Sequence, residues 1–253
     1  MMPAPSLRRR ISATRQRGVS LLEFSVVLLI AAFAFGAILK GQELIFGARV
    51  RALLGEHESA RAAWLGFQDR YRALPGDYDA ADRNIRGVSK TGNGDGRVEA
   101  AATSVIGPNG VAAEAVLAWD HLSKSRFIAG EYNFSAQATT DVNALATAVP
   151  RNLYGGFADI AYDGAYGNPA TTNPERHTLK TGQFIPVAIL AEIDRKIDDG
   201  KPWSGGFQVS YFGWVAPTPV ADPTSSLNCV VNPGLWRLTA DAQPVNCGGS
   251  SLL

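Results

Sequence analysis

The first long apolar run of the chain covers residues 19–39, where Glu23 is the only charged residue. Its 21 residues are about the length that an α-helix needs to cross a hydrocarbon core of roughly 30 Å. Lys40 ends the run. Residues 1–18, which precede the run, contain five arginines and no acidic residue. Because such a basic flank stays on the cytoplasmic side, the pattern predicts a single transmembrane helix that leaves most of the chain exported.

The helical pattern continues beyond this run and becomes amphipathic. No proline occurs between residues 19 and 74, and Pro75 with Gly76 supplies a stop signal. We therefore predict one helix over about 19–73, whose amphipathic part at 40–74 is the spine of a globular head. Positions spaced by four and three residues share one face of that part: Leu53, His57, Ala60, Trp64, Phe67 and Tyr71.

The pattern of apolar and polar residues over the remaining chain, 75–253, predicts an α+β head in which helices pack on an antiparallel β-sheet. Helical periodicity occurs at 111–128 and again at Ile189, Ile193 and Ile197. Runs of β-branched and aromatic residues predict strands, at 157–162, 207–215 and 235–238.

Two segments of the head predict loops. Residues 77–110 are rich in Gly, Asn and Asp, which argues against any regular helix there. Residues 131–175 alternate short polar, Ala-rich and aromatic runs, so they predict loops apart from the strand at 157–162. Loops as long as the first tend to be functional.

The junction between the basic leader and the apolar run resembles the processing site of the type IV prepilin family, which includes the type II secretion pseudopilins. Residues 17–23 read Arg-Gly-Val-Ser-Leu-Leu-Glu, and in that family a basic leader ends in Gly and the apolar helix carries Glu as its fifth residue. The resemblance implies that a prepilin peptidase cuts between Gly18 and Val19 and methylates the new amino terminus. Val19 departs from the family, which most often has Phe there. A cut at this point keeps the apolar helix, whereas an ordinary secretory signal loses it.

Glu23 stands where a charge is costly, since an ionised side chain in a bilayer costs at least about 2.5 kcal/mol on insertion scales. Such a group usually has a partner, and after cleavage the ammonium group of Val19 would lie one helical turn away. In a filament this ammonium could instead neutralise Glu23 of a neighbouring subunit and set the axial register of the two helices. The alternative is that Glu23, near the cytoplasmic edge, extends to the lipid headgroups.

The charge balance changes when the leader is removed. The chain has 24 basic and 23 acidic residues, and residues 1–18 hold five of the basic and none of the acidic ones, so the remainder has a net charge of −4. A mildly acidic exported domain argues against nucleic-acid binding as its main task. About 180 residues after the helix are enough for one ordinary core.

The resemblance implies a structural protein with a pilin-like fold, in which a long amino-terminal helix packs on the sheet of the head. The chain would be a minor pilin or pseudopilin of a type IV pilus or type II secretion filament. It would lie in the inner membrane as a single-pass protein with its head in the periplasm before assembly. Its partners would be prepilin peptidase, an inner-membrane assembly platform and other pilin subunits. The alternative is a membrane-anchored periplasmic binding module or enzyme that does not polymerise.

Four short patches in the head extend the resemblance to a recurrent subset of exported prepilin-like proteins. These patches do not indicate what the head binds. The patches are Leu-Pro-Gly-Asp at 74–77, Gly-Asp-Gly at 94–96, Trp-Asp-His-Leu at 119–122 and Ile-Asp-Arg-Lys-Ile-Asp-Asp-Gly at 193–200.

The two cysteines, Cys229 and Cys247, predict a disulfide because the chain is sent to an oxidising compartment. The resemblance compares this region with the disulfide-bounded carboxyl-terminal region of many pilins, which often determines contacts. Stabilisation of an irregular tail is the alternative role.

A glycine-rich stretch at 91–99 alternates oxygen-bearing side chains with glycines, as calcium loops do. It is not an EF-hand, because Thr91 replaces the first Asp of that loop and Ala102 replaces its final Glu. A turn with local side-chain hydrogen bonds is the favoured interpretation. Calcium bound by Asn93, Asp95 and Glu99 is the alternative.

No catalytic motif is recognised in the sequence. The three histidines are far apart and lack metal-ligand spacing, and nucleophile-elbow and phosphate-loop motifs are absent. We expect His57 at the edge of the core, His121 in helix packing or on the surface and His177 in a loop. The acids at 194, 198 and 199 predict a solvated face with a capped turn, with cation binding as the alternative.

Overall fold

The computed structural model describes residues 20–98, 113–135, 138, 142–210, 228–231, 233–238 and 246–253. Three residues of the predicted sites, Gly18, Val19 and Glu99, lie outside these ranges. The helices are α1 (Leu21–Tyr71), α2 (Ala81–Asn84), α3 (Ala113–Lys124), α4 (Val142–Ala148) and α5 (Val187–Ile197). The strands are β1 (Asp159–Asp163), β2 (Arg176–Lys180), β3 (Phe207–Val209), β4 (Val230–Val231), β5 (Leu235–Trp236) and β6 (Gly249–Leu252).

The chain divides into two compact units, Met1–Ile45 and Phe46–Leu253, and α1 contributes to both. In the first unit the large apolar side chains from Leu21 to Leu39 are between 48% and 90% exposed. Within the described ranges, α1 is the one helix long and apolar enough to span a membrane by length and composition. The predicted long apolar helix at the amino terminus is confirmed.

The second unit, which we call the head unit, is built around the rest of α1. Leu53, His57, Trp64 and Phe67 are buried, as the predicted apolar face requires. The helix ends at Tyr71, slightly earlier than expected.

Two hydrophobic clusters lie along the buried part of α1. Trp64 and Phe67 belong to the first cluster, which also includes Trp119 of α3 and Leu179 of β2. Leu53 belongs to the second. The second cluster also includes Val50 of α1 and residues of α5, β3, β4, β5 and the disulfide region, among them Ile189, Ile193, Phe207, Cys229 and Cys247.

The main sheet is antiparallel, with strand order β1-β2-β6-β3. The last strand of the chain, β6, therefore lies between β2 and β3, while β4 and β5 form a separate pair. Leu179, Ser251 and Phe207 are neighbours across one face. His57 of α1 contacts that face, because its Nε2 lies 2.6 Å from Ser251 Oγ and its ring centroid lies 5.9 Å from that of Phe207. The predicted α+β architecture, a helix on an antiparallel sheet, is confirmed.

Several local predictions are wrong or too long. The segment 77–110 contains the single turn α2, which is anchored by buried Ala81 and Ile85. The segment 131–175 contains α4, in which Leu145 and Ala148 pack into the first cluster. The strand predicted at 235–238 is shortened to β5. Of the strand predicted at 207–215 the structure shows β3, and the rest of that prediction at 211–215 lies outside the described ranges.

His177 was expected in a loop and instead lies in β2. Its ring centroid is 5.5 Å from Trp64 and 5.0 Å from Tyr162. The Val98 N–H donates to its Nε2 at 3.2 Å. The residue is therefore part of the contact between α1 and the sheet.

Candidate functional site

Glu23 lies in the first turn of α1. Its backbone N–H donates to Ser20 Oγ at 3.3 Å, and the Phe24 N–H donates to the Ser20 carbonyl at 3.1 Å, so Ser20 caps the helix. Among the residues that the structure describes, no basic side chain forms an ion pair with Glu23. Cleavage after Gly18 and pairing with the ammonium group of Val19 stay predictions, because both residues lie outside those ranges.

The Asp77 carboxylate is the centre of a loop cluster in the head unit. Its Oδ1 accepts hydrogen bonds from the N–H groups of Gly94 at 2.7 Å and Asp95 at 3.0 Å, and its Oδ2 accepts one from Gly96 at 2.9 Å. Successive backbone N–H groups of this kind form a concave anion site. Here the anion that occupies this site is the carboxylate of Asp77. Burial raises the pKa of Asp77, and the three hydrogen bonds oppose that rise.

His121 of α3 joins the two sides of this cluster. The Gly76 N–H donates to His121 Nδ1 at 3.0 Å, so the ring proton lies on Nε2, which donates to the Lys90 carbonyl at 3.1 Å. The side chain is fully buried, and its ring stacks on Phe67 with centroids 6.2 Å apart. Burial lowers the pKa of His121 to about 4, so the neutral form is maintained at physiological pH.

Close backbone packing explains two glycines of the cluster. A Cβ at Gly76 would lie 2.4 Å from the Glu114 carbonyl oxygen, and a Cβ at Gly92 would lie 2.3 Å from the Gly76 carbonyl oxygen. Buried Glu114 also accepts the Asn93 N–H at 3.0 Å through its side chain. The patches at 74–77, 94–96 and 119–122 therefore meet in one structural unit, which their separation in sequence did not predict.

The glycine-rich stretch forms a turn stabilised by its own side chains. Asn93 Oδ1 accepts the Asp95 N–H at 2.9 Å, and Asp95 Oδ1 accepts the Arg97 N–H at 2.9 Å. Asn93 Nδ2 also donates to Asp95 Oδ2 at 3.0 Å. These bonds are the ones that the turn interpretation predicts. Calcium binding by Asn93, Asp95 and Glu99 stays a prediction, since Glu99 lies outside the described ranges.

The fourth patch lies at the end of α5, and its acids join α5 to neighbouring strands. Asp194 Oδ2 accepts the Trp236 indole N–H at 2.6 Å, and Asp198 Oδ2 accepts the Phe207 N–H at 2.7 Å. Asp199 accepts hydrogen bonds from the Lys201 N–H and the Ser204 hydroxyl. Carboxylate oxygens of the three acids lie within 4.8 Å of one another. Each acid therefore has a structural role that needs no cation, and burial raises the pKa of Asp194 to about 6.

The predicted disulfide between Cys229 and Cys247 is present, with the two Cα atoms 5.9 Å apart. Both cysteines are buried in the second cluster. Cys247 and Ile185 exchange two backbone hydrogen bonds, of 3.0 and 3.1 Å. Because Cys247 comes two residues before β6, the disulfide fixes the entry of the chain into the central strand of the sheet.

His57 and Ser251 resemble part of a catalytic arrangement, but the geometry favours a structural role. Both residues are buried, and burial, assisted by the nearby Arg61 charge, lowers the pKa of His57 to about 4. In the part of the chain that the structure describes, no carboxylate is hydrogen-bonded to His57, as the orienting group of a triad would be. The contact ties β6 to α1.

A cavity of about 270 Å³ lies beside this contact, with apolar walls that include Leu53, Trp119 and Leu179. The buried Trp119 indole N–H has no hydrogen-bond acceptor among the described residues. Glu56 and Arg151 also line the cavity. These groups define a mostly apolar space of modest size.

Comparisons with protein-family models, with curated proteins and with solved structures find no match to this chain.

The two buried histidines give a testable pH dependence. We expect the ring Cε1 proton resonances of His57 and His121 to titrate near pH 4 in the full-length protein, rather than near the ordinary value of 6.5. Because these pKa values are lower in the folded state, each histidine contributes stability that is complete above about pH 6.5 and is lost as the pH falls toward 4.

Site-resolved NMR titration is the measurement of choice, because Asp194 shifts in the opposite direction and partly offsets the histidines in any global measurement. Replacing His121 with Gln assigns one resonance, and replacing His57 with Gln assigns the other. A midpoint near 6.5 for either ring in the folded protein would contradict the buried, neutral state described here.

Proposed function

We propose that this chain is a structural subunit of a type IV pilus or type II secretion-like filament, a minor pilin or pseudopilin assembled through its amino-terminal helix. The observation that supports the proposal most strongly is α1 itself. Its first part exposes apolar side chains and carries one carboxylate at Glu23, while its second part packs into a folded head unit. An anchor alone needs apolar residues and gains nothing from a charge at this depth.

Glu23 would act as the assembly residue. After cleavage between Gly18 and Val19, the new ammonium group of one subunit would pair with the Glu23 carboxylate of the next. In a low-dielectric surrounding, opposite charges attract strongly and a wrong axial register leaves a charge unpaired. The pair would therefore select the register in which neighbouring helices dock.

The head unit is consistent with a pilin-like layout, in which the exported part of the long helix lies against an antiparallel sheet. The proposed pathway begins in the inner membrane, with the head in the periplasm, and involves a prepilin peptidase, an assembly platform and sibling pilins. The subunit would supply no ATP hydrolysis itself. A separate motor protein would supply it.

Replacing Glu23 with Leu tests this proposal. We expect the variant to insert into the membrane in normal amounts but to fall at least about tenfold in sheared filaments, since an unpaired buried charge is costly. Immunoblots of membrane and filament fractions, in a host that makes the sibling subunits, measure both quantities.

A matched control is Glu43→Leu, the same change on the same helix. Glu43 lies beyond the apolar run, where it pairs with Lys40 at 2.6 Å on an exposed surface. Incorporation of this control should change little. Normal incorporation of the Glu23→Leu variant would sink the proposed pair. Absence of the unmodified protein from the filament fraction would instead favour a membrane-anchored binding module or enzyme that does not polymerise.

A further inference from the structure

A second cavity, of about 540 Å³, opens where α1 ends. Its volume falls in the range of roughly 300–1,000 Å³ that is typical of small-molecule sites. Three pieces of chain form its walls: the end of α1 with its exit turn, the turn after Pro75, and the glycine-rich loop held by Asp77. Its lining includes the side chains of Gln68, Tyr71, Arg72, Asp77, Tyr78 and Asp79.

Two tyrosine rings provide its aromatic walls. Tyr71 and Tyr78 are half-buried, with ring centroids 5.7 Å apart and planes inclined by 41°. Phe67 supports both rings from the core, at 4.6 Å from Tyr71 and 6.3 Å from Tyr78. The Tyr78 hydroxyl also accepts a hydrogen bond from Asn84 Nδ2. The Arg70 guanidinium carbon lies over the Tyr71 ring, 5.2 Å from its centroid. These contacts hold both rings in place and prevent them from collapsing into the cavity.

The polar groups of the cavity include donors and acceptors that the fold leaves available. Within the described ranges, the side chains of Gln68 and Asp79 make no hydrogen bond or ion pair. Arg72 contributes a guanidinium group, which among the residues that the structure describes forms one exposed ion pair, with Asp69 at 3.5 Å. Asp77, by contrast, is buried and its carboxylate already accepts hydrogen bonds from three N–H groups. Its role in the cavity is therefore to hold the glycine-rich loop in place.

The backbone of Arg72 is unusual. Its φ of +53° is left-handed, at the position after a helix where glycine is the common choice. A glycine at this position would adopt the same backbone conformation without strain, so folding does not require an arginine. The chain nevertheless places a long side chain with several donors at the rim of the cavity.

We propose that this cavity binds a short neutral saccharide. A pyranose ring presents an apolar C–H face that stacks on tyrosine, and hydroxyl groups that both donate and accept. Asp79 and Gln68 offer acceptors, while Arg72 and Gln68 offer donors, which matches pairs of adjacent hydroxyls. Carboxylates beside a guanidinium disfavour a strongly charged ligand of either sign.

Saccharide binding in this cavity does not depend on filament assembly, because all of the lining residues belong to the head unit.

The test is calorimetric titration of full-length protein in lipid nanodiscs with four neutral disaccharides: cellobiose, maltose, lactose and chitobiose. We expect at least one to bind with a Kd of about 1 mM or tighter. Arg72→Gly and Asp79→Ala should each weaken that binding at least about tenfold, because each removes a charged hydrogen-bonding group. Neither should lower the melting temperature, since both side chains are exposed and Arg72→Gly relieves a left-handed residue.

Arg126→Gly is the matched control. Arg126 is also exposed and left-handed, with a φ of +65°, but it lies outside the cavity. This variant should bind the disaccharide as the unmodified protein does. Binding of none of the four sugars would overturn the proposal. Equal binding by the Arg72→Gly and Asp79→Ala variants would also overturn it, as would binding of tetramethylammonium alone, which would indicate an aromatic site for cations.

Discussion

Replacing Asp77 with Ala is expected to lower the free energy of unfolding of the head unit by about 2–4 kcal/mol. Asp77 is only 4% exposed, and its carboxylate accepts three backbone hydrogen bonds. Hydrogen bonds to charged groups contribute about 1.5–3 kcal/mol each. The loss should be smaller than three such bonds, because Gly94, Asp95 and Gly96 are exposed and water can reach their N–H groups once the loop relaxes.

Two related variants make this prediction specific. Asp77→Asn keeps one oxygen acceptor but turns an N–H₂ group toward a backbone donor, so its loss should be intermediate. Asp79→Ala removes a neighbouring exposed carboxylate and should change stability by no more than about 0.5 kcal/mol. Thermal denaturation followed by tryptophan fluorescence compares the three proteins. A loss for Asp77→Ala as small as that for Asp79→Ala would contradict the organising role of Asp77.

Removal of the disulfide should have a comparably large effect. Replacing Cys229 and Cys247 together with Ala is expected to cost about 3 kcal/mol, chiefly because the unfolded chain regains the freedom of the closed loop. For a unit of this size the melting temperature should fall by roughly 6–12 °C. The effect is expected to reach the main sheet, since Cys247 pairs with Ile185 two residues before β6 begins.

Reduction of the unmodified protein provides the internal comparison. Its melting temperature in reductant should approach that of the double variant, and the double variant should not respond to reductant. If neither reduction of the unmodified protein nor the double replacement changed the melting temperature, β6 would hold its place without the covalent link.

The parts of this structure that depend on local periodicity were predictable from the sequence. The buried face of α1 follows from the spacing of Leu53, Trp64 and Phe67, because one helical repeat fixes which side chains share a face. Likewise, α5 follows from the spacing of Ile189 and Ile193.

Long-range pairing was not predictable. The central strand β6 reads Gly-Ser-Ser-Leu and lacks the β-branched residues that mark strands, so its place comes from its neighbours β2 and β3. The same limit applies to the candidate sites. The turn at Asn93 and Asp95 could be proposed from composition, but the carboxylate that holds it, Asp77, lies 17 residues from Gly94. His121 joins Gly76 to Lys90 from a third segment.

The central claim, that this chain enters a prepilin pathway, is tested most directly by its amino-terminal sequence and intact mass. Both are measured on protein recovered from membranes of a host with and without prepilin peptidase. The account predicts a peptidase-dependent start at Val19 with the added mass of a methyl group. An uncut chain in both hosts, or a cut beyond Leu39 that does not depend on the peptidase, would contradict it.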